Sequence, residues 1–196
     1  MGFLLWGEMM SDKACVFIDG GYLFKVQRDL GLRSLDLLRL SSDIVGNYQR
    51  MRTYFYDADP YQSNPPTTDE KERLRKKQGF FDRLNRLDNF EVRKGYLRLK
   101  GTDASSGNKI FEQKGVDVKL AVDLLRLSLR GGIQLACLIA GDGDFVPIVE
   151  IAKDAGVEVR LYYGNGANSK YSQQLWDCCD QRTLMDRAFL SKFQLP

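Results

Sequence analysis

The sequence contains no histidine, and this absence excludes several kinds of site. Without an imidazole the chain cannot build a Ser-His-Asp triad, a histidine metal ligand or a histidine general acid. The four cysteines form no C-x-x-C pair, so the usual spacing of a zinc site is missing as well. Any catalysis by this chain must therefore depend on carboxylates, metal ions, lysine or hydroxyl groups.

Long apolar runs are also missing from the sequence. No apolar run approaches the length of a membrane span, and the first ten residues lack the basic flank of a signal peptide. Cys15 and Cys137 lie in apolar, strand-like runs, which is typical of buried free thiols in a reducing compartment. These features together predict a cytoplasmic protein with no membrane partner.

The size and composition predict one domain. A chain of 196 residues with 43% hydrophobic residues suits a single globular unit with a proper core. The sequence has no internal repeat and no linker long enough to separate two domains. We expect residues 1–13 to be an N-terminal extension and residues 14–196 to be the single domain. Whether the chain forms a homo-oligomer is left open.

Positive charge is concentrated in one segment. Residues 71–100 hold eleven Lys and Arg against four acidic residues, although the whole chain has a net charge of only +3. Such a segment indicates a polyanionic partner such as RNA, and a solvated helix face explains it about equally well. Its second part interleaves basic residues with an aromatic one, which would guide a nucleic-acid backbone and stack a base: Arg93, Lys94, Tyr96, Arg98 and Lys100.

Strand-like and helix-like segments alternate along the chain. This alternation predicts a parallel α/β sheet in three layers, with helices on both faces. A further segment, residues 109–113, is expected to return antiparallel to the strand before it as a hairpin arm. The predicted strands are 14–19, 51–58, 89–100, 134–140 and 157–164, and the main predicted helices are 22–30, 35–49, 116–130, 145–155 and one that begins near 67.

Aspartates stand where two of these strands end and where one helix begins. FIDGGYL (17–23) places Asp19 after a buried strand, AGDGDF (140–145) places Asp142 and Asp144 after another, and KGVDVKLAVD (114–123) places Asp117 at a helix start. If the two strands are neighbours, Asp19 and Asp142 lie about 5 Å apart, the usual strand spacing. Carboxylates that close repel each other unless a cation lies between them, and Mg²⁺ or Mn²⁺ prefers such oxygen ligands.

Each aspartate also has a structural explanation. Asp144 or Asp117 could simply cap its helix and complement the helix dipole. Asp123 lies six residues after Asp117, about 120° round the helix, so the two cannot both point straight at one ion. We therefore expect Asp123 to support the site from behind the metal ligands or to serve the fold.

Three stretches together resemble the LabA-like branch of the NYN domains, within the PIN-like nuclease superfamily. They are FIDGGYL, KGVDVKLAVDLL and LIAGDGDFVPIVEIAKDAGVEVRLY, in the order that this family has them, and the resemblance runs from about Ala14 to Asp180. It implies a three-layer αβα PIN-like fold whose mostly parallel sheet has the strand order 3-2-1-4-5. It also implies a Mg²⁺ or Mn²⁺ site whose metal-binding and catalytic residues are Asp19, Asp117, Asp142 and Asp144.

One position departs from the family pattern. Many relatives have asparagine where this chain has Tyr22, so a polar contact near the metal or the phosphate is expected to be missing here.

The function that the resemblance implies is a metal-dependent endoribonuclease. The carboxylates would hold the metal and orient a water molecule for in-line attack on an RNA phosphodiester. One alternative is a non-catalytic RNA-binding or regulatory module with the same fold. Another is a haloacid-dehalogenase-like phosphatase, whose late acidic motif is similar to GDGDFVPIVEIAKDAG, but whose first motif requires an aspartate where this chain has Gly21.

Overall fold

The structure is a computed structural model that describes residues 12–102 and 109–195, without the side chains of residues 98, 99, 102 and 109–114. Of the expected N-terminal extension, residues 1–11 lie outside the described residues, and Lys13 already belongs to the first strand. In the described part of the chain the strands are β1 (Lys13–Asp19), β2 (Gln49–Ala58), β3 (Phe90–Thr102), β4 (Lys109–Lys114), β5 (Leu135–Ile139), β6 (Glu158–Tyr163) and β7 (Gln181–Leu184).

The helices lie mostly between successive strands, as the alternation predicts. They are α1 (Gly20–Asp29), α2 (Leu37–Ile44), α3 (Thr68–Asn85), α4 (Val116–Leu129), α5 (Val146–Asp154), α6 (Gln173–Cys178) and α7 (Arg187–Leu190), with single 3₁₀ turns at Gly143–Phe145 and Ser191–Phe193. None of the helices in the described ranges combines the length and the apolar character that crossing a bilayer requires.

The sheet confirms the predicted α/β fold. Its strand order is β4-β3-β2-β1-β5-β6-β7, and every neighbouring pair is parallel except β3 and β4, which are antiparallel. The expected order 3-2-1-4-5 is present at the centre, where the fourth and fifth predicted strands are β5 and β6. The hairpin arm becomes the edge strand β4. The other edge strand, β7, was not predicted, because QRTL has no apolar run.

The core lies on both faces of the sheet. Successive residues of a strand point to opposite faces, so Val16 and Ile18 pack with α1, α2 and α3, whereas Cys15 and Phe17 pack with α4, α5 and α6. This two-sided burial explains why β1 is apolar along its whole interior. Cys15 and Cys137 are buried free thiols, as predicted, and burial raises the pKa of each to about 12.

Gly141, just after β5, is a point of close approach between layers. A Cβ atom at this position would lie 2.7 Å from the carbonyl oxygen of Lys170 and 2.7 Å from Cζ of Tyr22. Real Cβ atoms essentially never come so near to other heavy atoms, so only glycine fits without a shift of the neighbouring backbone. Gly141 thus allows the turn that carries Asp142 to lie directly on Tyr22.

We expect Gly141→Ala to lower the free energy of unfolding by about 1–3 kcal/mol, because the added methyl group overpacks this contact. Gly79→Ala is the matched control. Its Cβ would have only ordinary contact, 3.8 Å from Arg83, and alanine in the middle of α3 should be neutral or stabilise by about 0.5–1 kcal/mol. Urea unfolding followed by circular dichroism measures both. Equal stability of Gly141→Ala and the parent protein would contradict the close packing of this turn.

Candidate functional site

The predicted acidic residues gather at the carboxyl edge of the sheet. Asp19 is the last residue of β1, Asp142 follows the neighbouring strand β5, and Asp117 lies in the first turn of α4. The expected separation of about 5 Å between Asp19 and Asp142 assumed that the two residues are cross-strand neighbours, and the register does not pair them. The register pairs Ile18 with Ile139, so Asp142 lies three residues beyond the last paired position, in the turn that leaves the strand.

Asp19 is held in place by a helix cap and by close packing. Its Oδ1 accepts a hydrogen bond of 3.0 Å from the backbone N–H of Tyr22, which caps α1. A Cβ on the next residue, Gly20, would lie 2.6 Å from the Phe55 ring, so this strand end packs tightly on β2. The direction of the Asp19 carboxylate is therefore fixed by its own backbone.

Asp117 does not cap its helix. The N-cap of α4 is Gly115, with φ of +79° and no side-chain hydrogen bond, and Asp117 stands exposed in the first turn. Its carboxylate benefits from the helix dipole and stays available to a ligand.

In the GDGD turn, Asp142 caps the 3₁₀ turn that follows and Asp144 supplies the N–H that it binds. Asp142 is the N-cap of the 3₁₀ turn Gly143–Phe145, where its Oδ1 accepts a hydrogen bond of 3.0 Å from the N–H of Asp144. The alternative in which Asp144 caps its helix is wrong, because the N-cap of α5 is Phe145 and the N-cap of the 3₁₀ turn is Asp142. Both side chains are exposed, so the turn presents two carboxylates to solvent.

The carboxylates influence one another electrostatically. The pKa of Asp19 is raised to about 6, mainly by burial and also by the negative charges of Asp117 and Asp57, whereas the Tyr22 N–H and Lys25 act to lower it. Burial also raises the pKa of Asp117, and the charges of Asp142 and Asp144 add to this effect. Asp117 thus links the β1 and β5 parts of a single negative site.

No described side chain forms an ion pair with these carboxylates, although the positive charge of Lys25 acts on two of them. None of Asp19, Asp117, Asp142 and Asp144 makes an ion pair within 4.0 Å with another described residue. Nor, within residues 12–102 and 109–195, do three or more acidic or cysteine side chains form a cage that could hold a metal ion. Mg²⁺ needs no such cage, because it is usually bound by one or two carboxylates and keeps several waters. The chemistry of these oxygen donors therefore fits Mg²⁺ or Mn²⁺.

Asp57 is a further acidic residue of this edge, and the sequence analysis missed it. It is a buried residue near the end of β2, and its carboxylate forms an ion pair with Lys77 and accepts a hydrogen bond of 2.7 Å from the N–H of Ala58. The sequence did contain a signal. The stretch FYDA places an acid at the end of an apolar strand, just as FID does with Asp19.

Asp123, on α4, holds parts of the fold together through hydrogen bonds. It is buried and accepts hydrogen bonds from the Tyr56 hydroxyl (3.1 Å), from Arg93 Nε (3.2 Å) and from an Arg126 guanidinium nitrogen (2.9 Å). These contacts join α4 to β2 and β3. Arg93 also pairs with Glu91 at 2.8 Å, so its guanidinium is occupied by two carboxylates and is poorly placed to bind a phosphate.

The other predicted nucleic-acid-binding residues on β3 have different environments. Lys94 lies 3.7 Å from a carboxylate oxygen of Asp59 and 5.0 Å from the centre of the Phe81 ring. Tyr96 is 62% exposed and Lys100 is exposed, whereas the side chain of Arg98 lies outside the described part of the structure. Tyr96 and Lys100 are therefore the members of this set whose side chains are most open to solvent.

Tyr22 is a buried scaffold residue. Its hydroxyl accepts a hydrogen bond of 3.0 Å from the N–H of Gly164 and donates to the carbonyl of Ser169 at 3.3 Å. Its ring lies against Gly141. Tyr22 thus ties α1 to the loop after β6 through its side chain, while its backbone N–H donates to the Asp19 carboxylate.

The chain belongs to the NYN domain family, whose model matches residues 13–186. This family is nuclease-like in general. A relative in Sinorhizobium fredii (strain NBRC 101917 / NGR234), the uncharacterized protein y4oD, is 29% identical over 107 residues, which are 55% of this chain and 45% of the relative. This chain therefore matches less than half the length of that protein. The crystal structure of VPA0982, a protein of unknown function from Vibrio parahaemolyticus RIMD 2210633, has a similar fold, with a TM-score of 0.61, 20% identity, and coverage of 94% of this chain and 97% of that one.

The raised pKa of Asp19 predicts a pH dependence of stability. Between its ordinary value of 3.8 and the folded value of about 6, the folded state binds more protons than the unfolded state. The free energy of unfolding therefore falls as the pH rises through this window. Asp19→Asn removes the charge and keeps an oxygen that can cap α1. In EDTA at about pH 7.5 we expect this variant to be more stable than the parent by about 1–3 kcal/mol, and at about pH 4 to be nearly equal.

The matched control for this measurement is Asp36→Asn. Asp36 also caps a helix, α2, through a 2.9 Å hydrogen bond from the N–H of Arg39, and it lies outside the carboxylate site. Comparing the two variants at each pH separates the loss of a capping charge from the effect of the carboxylate site. Urea unfolding at each pH is the measurement, and an Asp19→Asn variant that gains no stability at the higher pH would contradict the repulsion described here.

Proposed function

We propose that this chain is a metal-dependent endoribonuclease of the LabA-like branch of the NYN family, within the PIN-like nuclease superfamily. The observation that carries the proposal is the set of unneutralised carboxylates that three separate segments bring to one sheet edge. Burial and repulsion raise the pKa of two of them, as is typical of a site that needs a cation. Membership of a nuclease-like family supports the same conclusion.

The residues that would hold Mg²⁺ or Mn²⁺ are Asp19, Asp117, Asp142 and Asp144. Asp19 is the most rigid of them, because the Tyr22 N–H fixes its carboxylate, and Asp142 is fixed in a similar way by the N–H of Asp144. A bound cation would neutralise the charge that develops on the scissile phosphate and would activate a water molecule.

The chain's own groups complete the proposed chemistry. Asp117 and Asp144 have exposed carboxylates, which can orient a water molecule for in-line attack and accept its proton. Lys25, exposed on α1, lowers the pKa of both Asp19 and Asp117, so its ammonium group faces this site. There it would pair with a phosphate oxygen of the substrate and reduce the repulsion between RNA and the carboxylates.

One observation supports a second candidate function. Within the described residues no three acidic side chains form a closed metal cage, which suits an RNA-binding or regulatory module that binds RNA without cutting it. The two functions differ in the effect of a metal ion, because only the nuclease requires one.

The first prediction from this proposal concerns metal binding. A ligand that binds only the folded state stabilises it, by about 2.7 kcal/mol at a concentration of a hundred times its Kd. We therefore expect millimolar Mn²⁺ or Mg²⁺ to raise the Tm of the parent by several degrees. Asp142→Asn should lose most of this shift, whereas Asp154→Asn, an exposed position at the far end of α5, should keep it. A shift that is absent in the parent, or equal in all three proteins, would contradict the metal site.

The second prediction concerns cleavage. Asp142→Asn keeps the size and the capping oxygen of the side chain and removes its charge. We expect it to fold normally and to cut RNA at least about a hundredfold more slowly than the parent, a loss equivalent to about 3 kcal/mol of transition-state stabilisation. Gel analysis of labelled single-stranded and hairpin RNA with Mn²⁺, Mg²⁺ or EDTA measures this. Asp154→Asn is again the control.

If Asp142→Asn cuts as fast as the parent, the carboxylates are not the catalytic site. If the parent binds RNA with unchanged affinity in EDTA and never cuts it with either metal, the binding module is the correct function.

A further inference from the structure

A cleft of about 680 Å³ lies between α1 and α3, apart from the carboxylates. This volume falls in the range of small-molecule and cofactor sites, about 300–1,000 Å³. Four parts of the chain line it: α1 with Phe24, one face of α3 with Leu87 just after it, residues 33–37 from the connection after α1 to the start of α2, and Leu195 near the end of the chain. The proposed nuclease chemistry makes no use of this cleft.

The floor of the cleft is aromatic. Phe24 is 37% exposed, and its ring lies 6.0 Å from the ring of Phe80 between centroids. Phe55 supports both rings from below, at 6.1 Å and 5.6 Å. A large aromatic side chain left in contact with solvent in a cleft is a suitable platform on which a flat ring can stack.

The rim of the cleft is positively charged. It holds five basic side chains against one carboxylate, Asp36, whose Oδ1 accepts the hydrogen bond that caps α2: Arg33, Arg73, Lys76, Lys77 and Arg83. Lys76 pairs with Glu72 and Lys77 with Asp57, whereas Arg33, Arg73 and Arg83 are exposed and form no ion pair with another described residue. The rim therefore has a surplus of positive charge that a bound anion would neutralise.

The spacing of these cations indicates what kind of anion fits. Arg73 and Arg83 are ten residues apart on α3, which is about 15 Å along the helix axis, and Phe80 lies between them. A single carboxylate or phosphate would contact one end of this row only. A chain with repeated charges and flat bases would use the whole row and the rings as well.

The cleft continues towards the carboxylates. Arg73 and Lys77 also line a second, smaller cleft of about 360 Å³, whose other lining residues include Asp57. An oxygen of Asp57 lies 3.0 Å from where a Cβ on Gly20 would stand, and Gly20 directly follows Asp19. The two clefts thus share Arg73 and Lys77, and the second one reaches Asp57 beside the acidic edge of the sheet.

We propose that the cleft between α1 and α3 binds a stretch of single-stranded RNA a few nucleotides away from the bond that is cut. Bases stack on Phe24 and Phe80, and the phosphates follow the basic face of α3. The choice of RNA rests on the proposed function, and the cleft itself selects a single strand, because the bases of a duplex are stacked on each other and cannot reach the rings.

The experiment measures binding without cleavage. Fluorescence anisotropy in EDTA gives the Kd of a labelled single strand of about ten nucleotides and of a duplex of the same length. Arg73→Gln combined with Arg83→Gln should weaken single-strand binding about tenfold or more and reduce the slope of log K against log salt by about 1–2. The control is Arg130→Gln, which removes an exposed arginine at the end of α4. It should change the Kd and the salt slope only as much as the loss of one positive charge elsewhere on the surface would.

The aromatic floor has its own pair of variants. Phe24→Leu should weaken single-strand binding by about fivefold to a hundredfold, the range that corresponds to loss of one stacking contact. Phe24→Tyr keeps the ring and should restore the affinity of the parent. Duplex binding, which does not use the rings, should be equal in all three proteins.

Unchanged single-strand affinity in the arginine and Phe24→Leu variants would overturn the inference. The inference would also be overturned if vesicles of anionic phospholipid bound the parent but not these variants, because the occupant of the cleft would then be a lipid. The nuclease proposal is tested separately by Asp142→Asn, which should keep at least the parent's affinity for RNA in EDTA, because one charge that repels the backbone is removed. If Asp142→Asn loses cleavage and the cleft variants bind RNA normally, RNA binding by the cleft is rejected and the nuclease proposal stands. Cleft-dependent binding by a parent that never cuts RNA supports the cleft and rejects the nuclease.

Discussion

Repulsion between carboxylates at the end of a buried strand is the constraint on which the candidate site depends. β1 is apolar on both faces and brings Asp19 to an edge where Asp117 and Asp57 already add negative charge. A fold that gathers such groups is less stable at neutral pH than it would be without them. The two core layers on either side of β1 must offset that loss. The same repulsion makes the edge attractive to a divalent cation, so the weakness in stability and the proposed chemistry have one physical origin.

Much of the fold could be predicted because its signals are local. The apolar runs of β1 and β5, the Thr67–Glu70 capping box of α3 and the regular alternation of elements were sufficient for the central sheet. The short edge strand β7 could not be predicted, because its pairing with β6 is formed by backbone hydrogen bonds and its side chains carry no apolar pattern. Nor could the register that places Asp142 beyond the last paired residue of β5 be predicted, since it depends on how two distant strands align.

The basic segment 71–100 shows why the identity of a side chain does not determine its role. Its β3 part contains Arg93, which was predicted to bind nucleic acid. In the structure the Arg93 guanidinium instead pairs with Glu91 and Asp123. Its α3 part, for which an RNA partner and a solvated helix face were equally good explanations, lines a cleft with an aromatic floor. The difference follows from what each residue packs against. A strand inside the sheet has carboxylates on neighbouring elements, whereas one face of α3 is left open beside α1.

The ion pair between Lys77 and Asp57 explains how opposite charges can stand so close together without cancelling. Asp57 is buried, so a missing partner there would be costly, and Lys77 satisfies it while its ammonium also lies 4.7 Å from the centre of the Phe24 ring. In this ion pair Asp57, a carboxylate of the acidic edge, is neutralised by a lysine of α3. Asp19, Asp117, Asp142 and Asp144 keep their negative charge for a cation, and Arg73 and Arg83 keep their positive charge for a polyanion. A substrate that follows the basic face of α3 would therefore reach the acidic edge at the point where the two kinds of charge already meet in balance.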